Sequence, residues 1–336
     1  MPNVTLRDVA RRAGVSYQTV SRVINNQGPV AEATRQRVLD SIAELDFHPN
    51  KVARSLAAHY SQTLALIAFG LDFYGPAQMV INIEHAARTA GYDLIFSNVP
   101  TPSARSLQTT LNSIRRWKVD GILMIVPIRE MSSDNLARLD EGIPIVQING
   151  QLGAPTPSVI VEQRYGSRLA AQHLIEQGHR CIAEISGPLN WFDAVERHES
   201  WETTMREAGL EPRLSIAGDW SAASGYAAAQ RLLEQDADFT ALVVGNDQMA
   251  LGVIHALRER GLRIPQDVSL VGFDDIPEAA FFDPSLTTIR QDFSALGRRG
   301  IEYLVERIQN PELIVQQQTI YPEFVLRAST APPSRT

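Results

Sequence analysis

Arginine and glutamine are the side chains that pair bidentately with guanine and adenine through the DNA major groove. This sequence sets Tyr17, Gln18 and, one turn later, Arg22 at the start of a short segment that can form a helix. Ser16, Thr19, Ser21 and Asn25 alternate with them, at positions suited to phosphate contacts that orient a protein without reading sequence. Taken singly, these are ordinary solvated residues of a surface helix, and only their arrangement raises them above that. Further along, Asp247, Asp274 and Asp275 could serve as paired carboxylates of a glycosidase. The chain, however, has no G-x-S-x-G elbow, phosphate-binding glycine loop or metal-type histidine pair. No catalytic residue, metal or cofactor is therefore expected.

The elements that must position Tyr17, Gln18 and Arg22 are legible. Thr5-Leu6-Arg7-Asp8 has the form of a capping box, and Gly14 ends the helix it starts. Ser16 suits the N-cap of a second helix reaching about Asn25, with Val9, Ala10, Val15, Val20 and Val23 as shared core. A third helix is expected over about Glu32–Leu45, with Val38, Leu39, Ile42 and Leu45 on one face and Ala31 as a poor cap. Two helices joined by a tight glycine turn are the pattern of a helix-turn-helix, whose second helix enters the major groove. Charge agrees: residues 1–60 carry eight Lys/Arg against five Asp/Glu, a net +3, leaving −10 of the overall −7 to the remainder. A basic head on an acidic body suits a head that meets phosphate.

From residue 62 the pattern becomes apolar runs alternating with amphipathic helices. Strands are expected at Leu64–Phe69, Asp93–Asn98, Gly121–Val126, Pro144–Ile148, Val159–Val161, Cys181–Ile185, Leu214–Ala217, Ala241–Val244 and Val268–Gly272. Near-continuous apolar strands are those of parallel sheets covered on both faces. Cys181 is expected to be a buried strand residue. No run approaches the length of a bilayer span and the first twenty residues are charged, so a cytoplasmic protein without membrane partners is expected.

The run Val4-Thr5-Leu6-Arg7-Asp8-Val9-Ala10, followed by Ala13-Gly14-Val15-Ser16-Tyr17-Gln18-Thr19-Val20-Ser21-Arg22-Val23-Ile24-Asn25, closely resembles the head of the lactose-repressor family, without gaps. The resemblance continues to about residue 325. It implies an all-α helix-turn-helix head and an α/β body of the periplasmic-binding-protein type, made of two doubly wound parallel-sheet subdomains. The implied division is a DNA-binding domain at 1–48, a hinge at 49–61 and an effector domain at 62–330, with a tail at 331–336. Within the effector domain the first subdomain is expected at about 62–160 with 291–318, the second at about 161–290 with 319–330. The resemblance adds Thr5 and Leu6 to the DNA-contacting set. Asn50, Val52, Ala53 and Leu56 match the family's hinge helix, with Leu56 as an apolar wedge in the minor groove. A shared wedge implies a homodimer on a near-palindromic operator. The ending Ser-Thr-Ala-Pro-Pro-Ser-Arg-Thr, without a heptad helix, points the same way.

For the body the resemblance implies a small carbohydrate effector between the subdomains. A sugar site needs aromatic faces for C–H surfaces and planar polar groups for hydroxyls. Arg197, Trp220, Asn246, Asp274, Gln291 and Phe293 supply these near strand ends, where α/β sheets collect ligands. Trp220 and Phe293 could equally be core aromatics, and Asp247 and Asp275 helix caps. Phe69, Asp72, Phe73 and Tyr74 are expected at the cleft entrance, with Asn149 and Trp191 on its walls. Asn149 and Ile125 stand where the family's namesake carries aspartate and asparagine, and Asn190-Trp191-Phe192-Asp193 is bulkier than its counterpart. A galactoside-like inducer is the first expectation. Phe73-Tyr74 and the hinge run Val52–Leu56 also resemble a branch co-repressed by purines, the alternative within the family.

Overall fold

A computed structural model describes residues 4–24, 28–47, 61–101, 103–127, 142–235 and 238–334. The chain forms two compact units, residues 1–61 and 62–336. Asn25 and the hinge residues Asn50, Val52, Ala53 and Leu56 lie outside the described residues.

The first unit has helices α1 (Leu6–Ala13), α2 (Tyr17–Ile24) and α3 (Glu32–Glu44). The Asp8 carboxylate accepts from both the backbone N–H and the hydroxyl of Thr5, at 2.9 and 2.6 Å, tying the start of α1. Gly14 ends that helix in the left-handed region, at φ 67°, where a Cβ would be strained. The Ser16 hydroxyl accepts from Thr19 N and caps α2. Val9, Ala10, Ala13, Val20, Val23 and Val38 close a small core with Phe47. Leu39 does not join it: it is 45% exposed, because it lies 100° around α3 from the buried Val38. Ala31 provides no side-chain cap for α3.

The second unit begins with β1 (Thr63–Ala68), α4 (Tyr74–Thr89), β2 (Asp93–Asn98), α5 (Ala104–Ile114), β3 (Gly121–Ile125), β4 (Ile145–Ile148) and β5 (Ser158–Val161). The chain then forms α6 (Gln163–Glu176), β6 (Ile182–Ser186), α7 (Phe192–Glu207), β7 (Ser215–Ala217), α8 (Ala222–Glu234), β8 (Ala241–Val244), α9 (Asp247–Glu259) and β9 (Ser269–Val271). It returns through β10 (Thr288–Arg290), α10 (Phe293–Gln309), β11 (Gln317–Ile320) and β12 (Glu323–Val325). One sheet runs β2-β1-β3-β4-β5-β11, the other β7-β6-β8-β9, and both are parallel throughout. Strands β10 and β12 pair as an antiparallel ribbon beside the second sheet.

Each expected strand is present, with ends shifted by no more than a residue. The apolar runs are central: Leu64 to Ala68 and Ile122 to Ile125 are buried on both faces by α4, α5 and α10. At the edge, β2 leaves Phe96 44% exposed. Cys181 precedes β6 and is exposed rather than buried, because pairing with β8 starts only at Ile182. Strand β11 stays in the first sheet to Ile320, so the last crossing falls two residues later than the expected boundary at 318. No helix among the described residues is long and apolar enough to cross a membrane.

Both sheets have doubly wound order, reversing at β1/β3 and at β6/β8. Such a reversal opens a crevice beyond the carboxyl ends of the strands. The two crevices face each other, and the chain passes between the subdomains three times: before α6, before α10 and before β12.

Candidate functional site

In the first unit, α2 buries Val20 and Val23 and turns Tyr17, Gln18 and Arg22 outward. Tyr17 is 52% exposed, a large aromatic on a helix whose other face is packed. Ser16 and Thr19 hydroxyls lie 2.9 Å apart beside them, Ser21 is partly buried, and Thr5 is exposed at the start of α1. Leu6 is half-buried against the core instead of standing free. Helix α2 thus turns Gln18 at its start and Arg22 one turn on outward from a packed support, flanked by hydroxyls. This is the arrangement a major-groove helix needs.

In the second unit, the strand ends converge on a cleft with about 450 Å³ of free space, its open mouth included. Phe73, Tyr74, Asn149, Trp191, Arg197, Trp220, Asn246, Asp274 and Gln291 line it, so nine sequence-predicted residues from both subdomains meet there. Three others do not line it. Phe69 packs behind Trp191, ring centroids 5.8 Å apart, and Phe293 packs edge-on behind Tyr74 at 6.0 Å, within the first subdomain's core. Asp72 is exposed. Sequence reasoning left Pro76, Met79, Pro127 and Asp193 out of the site, although they line the cleft. The i,i+4 spacing of Asp193 and Arg197 on the first turns of α7 was the available signal for the last.

Arg197 organises the floor. Its Nε donates to Gln163 Oε1 at 2.8 Å, Nη1 to the Gly245 carbonyl, and Nη2 lies 3.8 Å from Asp274 Oδ1. Its guanidinium sits 3.6 Å over the Phe273 ring and 5.4 Å over Trp220. Gln163 Nε2 donates to Gln291 Oε1 at 3.0 Å, and Gln291 Nε2 to Asp274 Oδ1 at 2.6 Å. Gln163 and Gln291 follow two of the crossings, so the floor is bonded to segments that link the subdomains. Asn246 caps α9 through Met249 N and donates to the Trp220 carbonyl. Asp247 is buried and holds Thr288 and the backbone of Ile276, and Asp275 pairs with Arg290 and Arg327. Both therefore fasten the loops around the site.

Aromatic rings make the wall. Phe73 meets Trp191 edge-on at 5.5 Å, and Trp191 meets Trp220 edge-on at 5.9 Å. Trp220 is held at φ 75°, Asp274 at φ 109° and Asn149 at φ 55°, a conformation that costs non-glycine residues energy and persists only when surroundings impose it. The buried Nε1 of Trp220 has no acceptor among the described residues. Glycine makes room for that indole: a Cβ on Gly187 would fall 2.1 Å from Trp220 Cη2. Gly187→Ala is accordingly expected to displace the indole and weaken ligand binding at least about tenfold, the equivalent of 1.4 kcal/mol. Titration calorimetry checks this, and unchanged affinity would show that Trp220 is not a contact.

Three hydrogen bonds join the start of α7 to the opposite subdomain: Phe192 N to Pro127 O at 2.9 Å, Asn149 Nδ2 to Asp193 Oδ2 at 2.6 Å, and Leu152 N to Glu196 Oε1 at 3.0 Å. Burial pushes Asp193 and Asp274 up to about 6, against the opposing pull of Arg197. It pushes Glu196 up to about 7, with the charge of Asp193 adding. These carboxyls hold protons more tightly folded than unfolded, so stability falls as pH rises from about 4 to about 7. Glu196→Gln keeps the acceptor for Leu152 without the ionisation. Between about pH 5 and 8 the wild-type body should lose on the order of 2 kcal/mol relative to that variant, read from paired urea melts. Parallel pH profiles would contradict the assignment.

Two family models match the chain. One, described as bacterial regulatory proteins of the lacI family, covers residues 5–50, and the other, a periplasmic binding protein-like domain, covers residues 171–330. The lactose operon repressor of Escherichia coli (strain K12) is 33% identical over 334 residues, spanning 99% of this chain and 92% of that protein. The HTH-type transcriptional repressor PurR of Haemophilus influenzae (strain PittEE) is 37% identical over 330 residues, spanning 97% of this chain and 98% of that protein. A crystal structure of the Lac repressor dimer bound to operator and the anti-inducer ONPF matches with a TM-score of 0.90 at 33% identity. The match covers 98% of this chain and 99% of that one.

Proposed function

Since the chain belongs to the lacI family of bacterial regulatory proteins and is a DNA-binding transcriptional repressor of that kind, we propose that a small carbohydrate held in the cleft lowers its affinity for operator DNA. The observation that carries this reading is the cleft itself. An aromatic wall faces the fixed polar groups of Arg197, Asn246, Asp274 and Gln291, and the buried Trp220 Nε1 lacks an acceptor among the described residues. Sugar rings offer C–H faces to the first and hydroxyl oxygens to the second. A galactoside is the first candidate, in line with the likeness to the lactose operon repressor.

The working unit we propose is a homodimer on a near-palindromic site. Residues 1–48 read the half-site through Gln18 and Arg22, a hinge at 49–61 places Leu56 in the minor groove, and 62–330 sense the effector. Ligand contacts with Arg197, Asp274 and Gln291 change the angle of the crossings, and with it the spacing of paired hinges. Linkage requires that operator weaken sugar binding by the same factor by which sugar weakens operator binding. Sugar affinity measured with and without saturating operator duplex tests this, and equal affinities would rule the coupling out.

A second reading, a purine co-repressor, has in its favour the 37% identity to PurR and the flat faces of Phe73 and Tyr74. It gives the opposite sign: the ligand tightens operator binding. One titration of operator affinity against each ligand class separates the two.

A further inference from the structure

The cleft holds more negative charge than its own cation balances. Arg197 is the one cationic side chain among the described residues lining it. Its guanidinium donates to Gln163 and to the Gly245 carbonyl, pairs with Asp274 at 3.8 Å and lies against the Phe273 ring, so one cation faces the two carboxylates Asp193 and Asp274. Asp193 is left with a single hydrogen-bond donor among the described residues, Asn149 Nδ2. Facing the same space are Phe73, Trp191 and Trp220, the last 5% exposed with its Nε1 donor unpaired among the described residues. The surroundings register the excess. Burial, with Asp274 adding, raises Asp193 despite the opposing pull of Arg197, and burial followed by the charge of Asp274 pushes the Tyr74 hydroxyl up to about 12.

A neutral hydroxyl can give Asp193 a hydrogen bond but leaves a desolvated charge unbalanced. An ammonium group supplies the bond and the opposite charge, and gains from the ring faces as well. The idle Trp220 Nε1 asks for an oxygen in the same molecule.

We propose that the ligand of the cleft is a sugar carrying a protonated amino group, its ammonium at Asp193 and a ring or hydroxyl oxygen at Trp220 Nε1. This rests on the carbohydrate reading above and narrows it. It makes Asp193 the residue that selects for the amine, while Arg197 and Asp274 serve the remaining hydroxyls.

Titration calorimetry of the full-length protein with galactosamine and glucosamine, beside galactose, glucose and their N-acetylamino counterparts, tests the proposal. The free amine is expected to bind at least about tenfold more tightly than its neutral counterparts. Asp193→Asn should remove that preference, so that the amines and their neutral counterparts bind alike. In the wild type, the preference should grow from about pH 5 to about pH 7, as Asp193 gives up its proton. Neutral sugars binding as well as the amines would overturn the amino-sugar assignment and leave the carbohydrate reading standing. No heat from any of these sugars, with operator binding intact, would overturn both.

Discussion

Arg197→Ala is expected to cost the body about 3–5 kcal/mol of stability, the usual penalty for leaving a buried charge unpaired. The side chain is 8% exposed and holds together Gln163, the Gly245 carbonyl and Asp274. Its removal takes the donor from Gln163 Oε1 and the Gly245 carbonyl, and leaves the Asp274 carboxylate, which burial already disfavours, with Gln291 but without its cation. For a body of this size the melting temperature should fall by roughly 10 °C, and ligand binding should disappear with it. Arg197→Lys keeps the charge but loses the planar fork that reaches three acceptors at once, so an intermediate loss is expected. Urea unfolding followed by tryptophan fluorescence measures both variants. A loss below about 1 kcal/mol for the alanine variant would mean that the cleft floor is not organised as described.

The second large effect belongs to α2. Arg22→Ala should weaken binding to the cognate operator by about 1–3 kcal/mol, roughly 5- to 150-fold, and relax selectivity at one base pair. Binding to random duplex should change little, because α2 keeps Val20 and Val23 in the core and the fold does not depend on Arg22. Gln18→Ala should act at a different base pair, so each substitution should broaden its own position in a selection from randomised half-sites. Equal weakening on specific and random duplexes would mean that Arg22 contacts phosphate rather than a base.

The sequence disclosed unevenly what matters here. Strands came through because parallel strands buried on both faces leave uninterrupted apolar runs, as at Leu64 to Ala68. The helical head came through because its caps are local: Thr5 with Asp8, Gly14, and Ser16 with Thr19. Leu39 was misassigned because a single residue step on a helix turns a core position toward solvent, and neighbouring leucines look alike in a pattern. In the cleft, Trp220, Asn246 and Asp274 follow glycine-marked strand ends, and Arg197 lies on the second turn of α7. Phe293 was not separable from them, because only the three-dimensional order shows that Tyr74 stands in front of it. Asp193 was passed over for a related reason. Its i,i+4 spacing from Arg197 is legible in the chain, but that both side chains enter one cleft with Asp274 is a long-range fact.

The account stands on coupling between cleft and operator. The most direct measurement is operator binding of the purified protein at fixed salt, on a near-palindromic duplex and on a random one, titrated with amino sugars, neutral sugars and purines. The account predicts tight, sequence-preferring binding that a sugar releases. Operator binding that no sugar loosens, or that a purine strengthens, would contradict it.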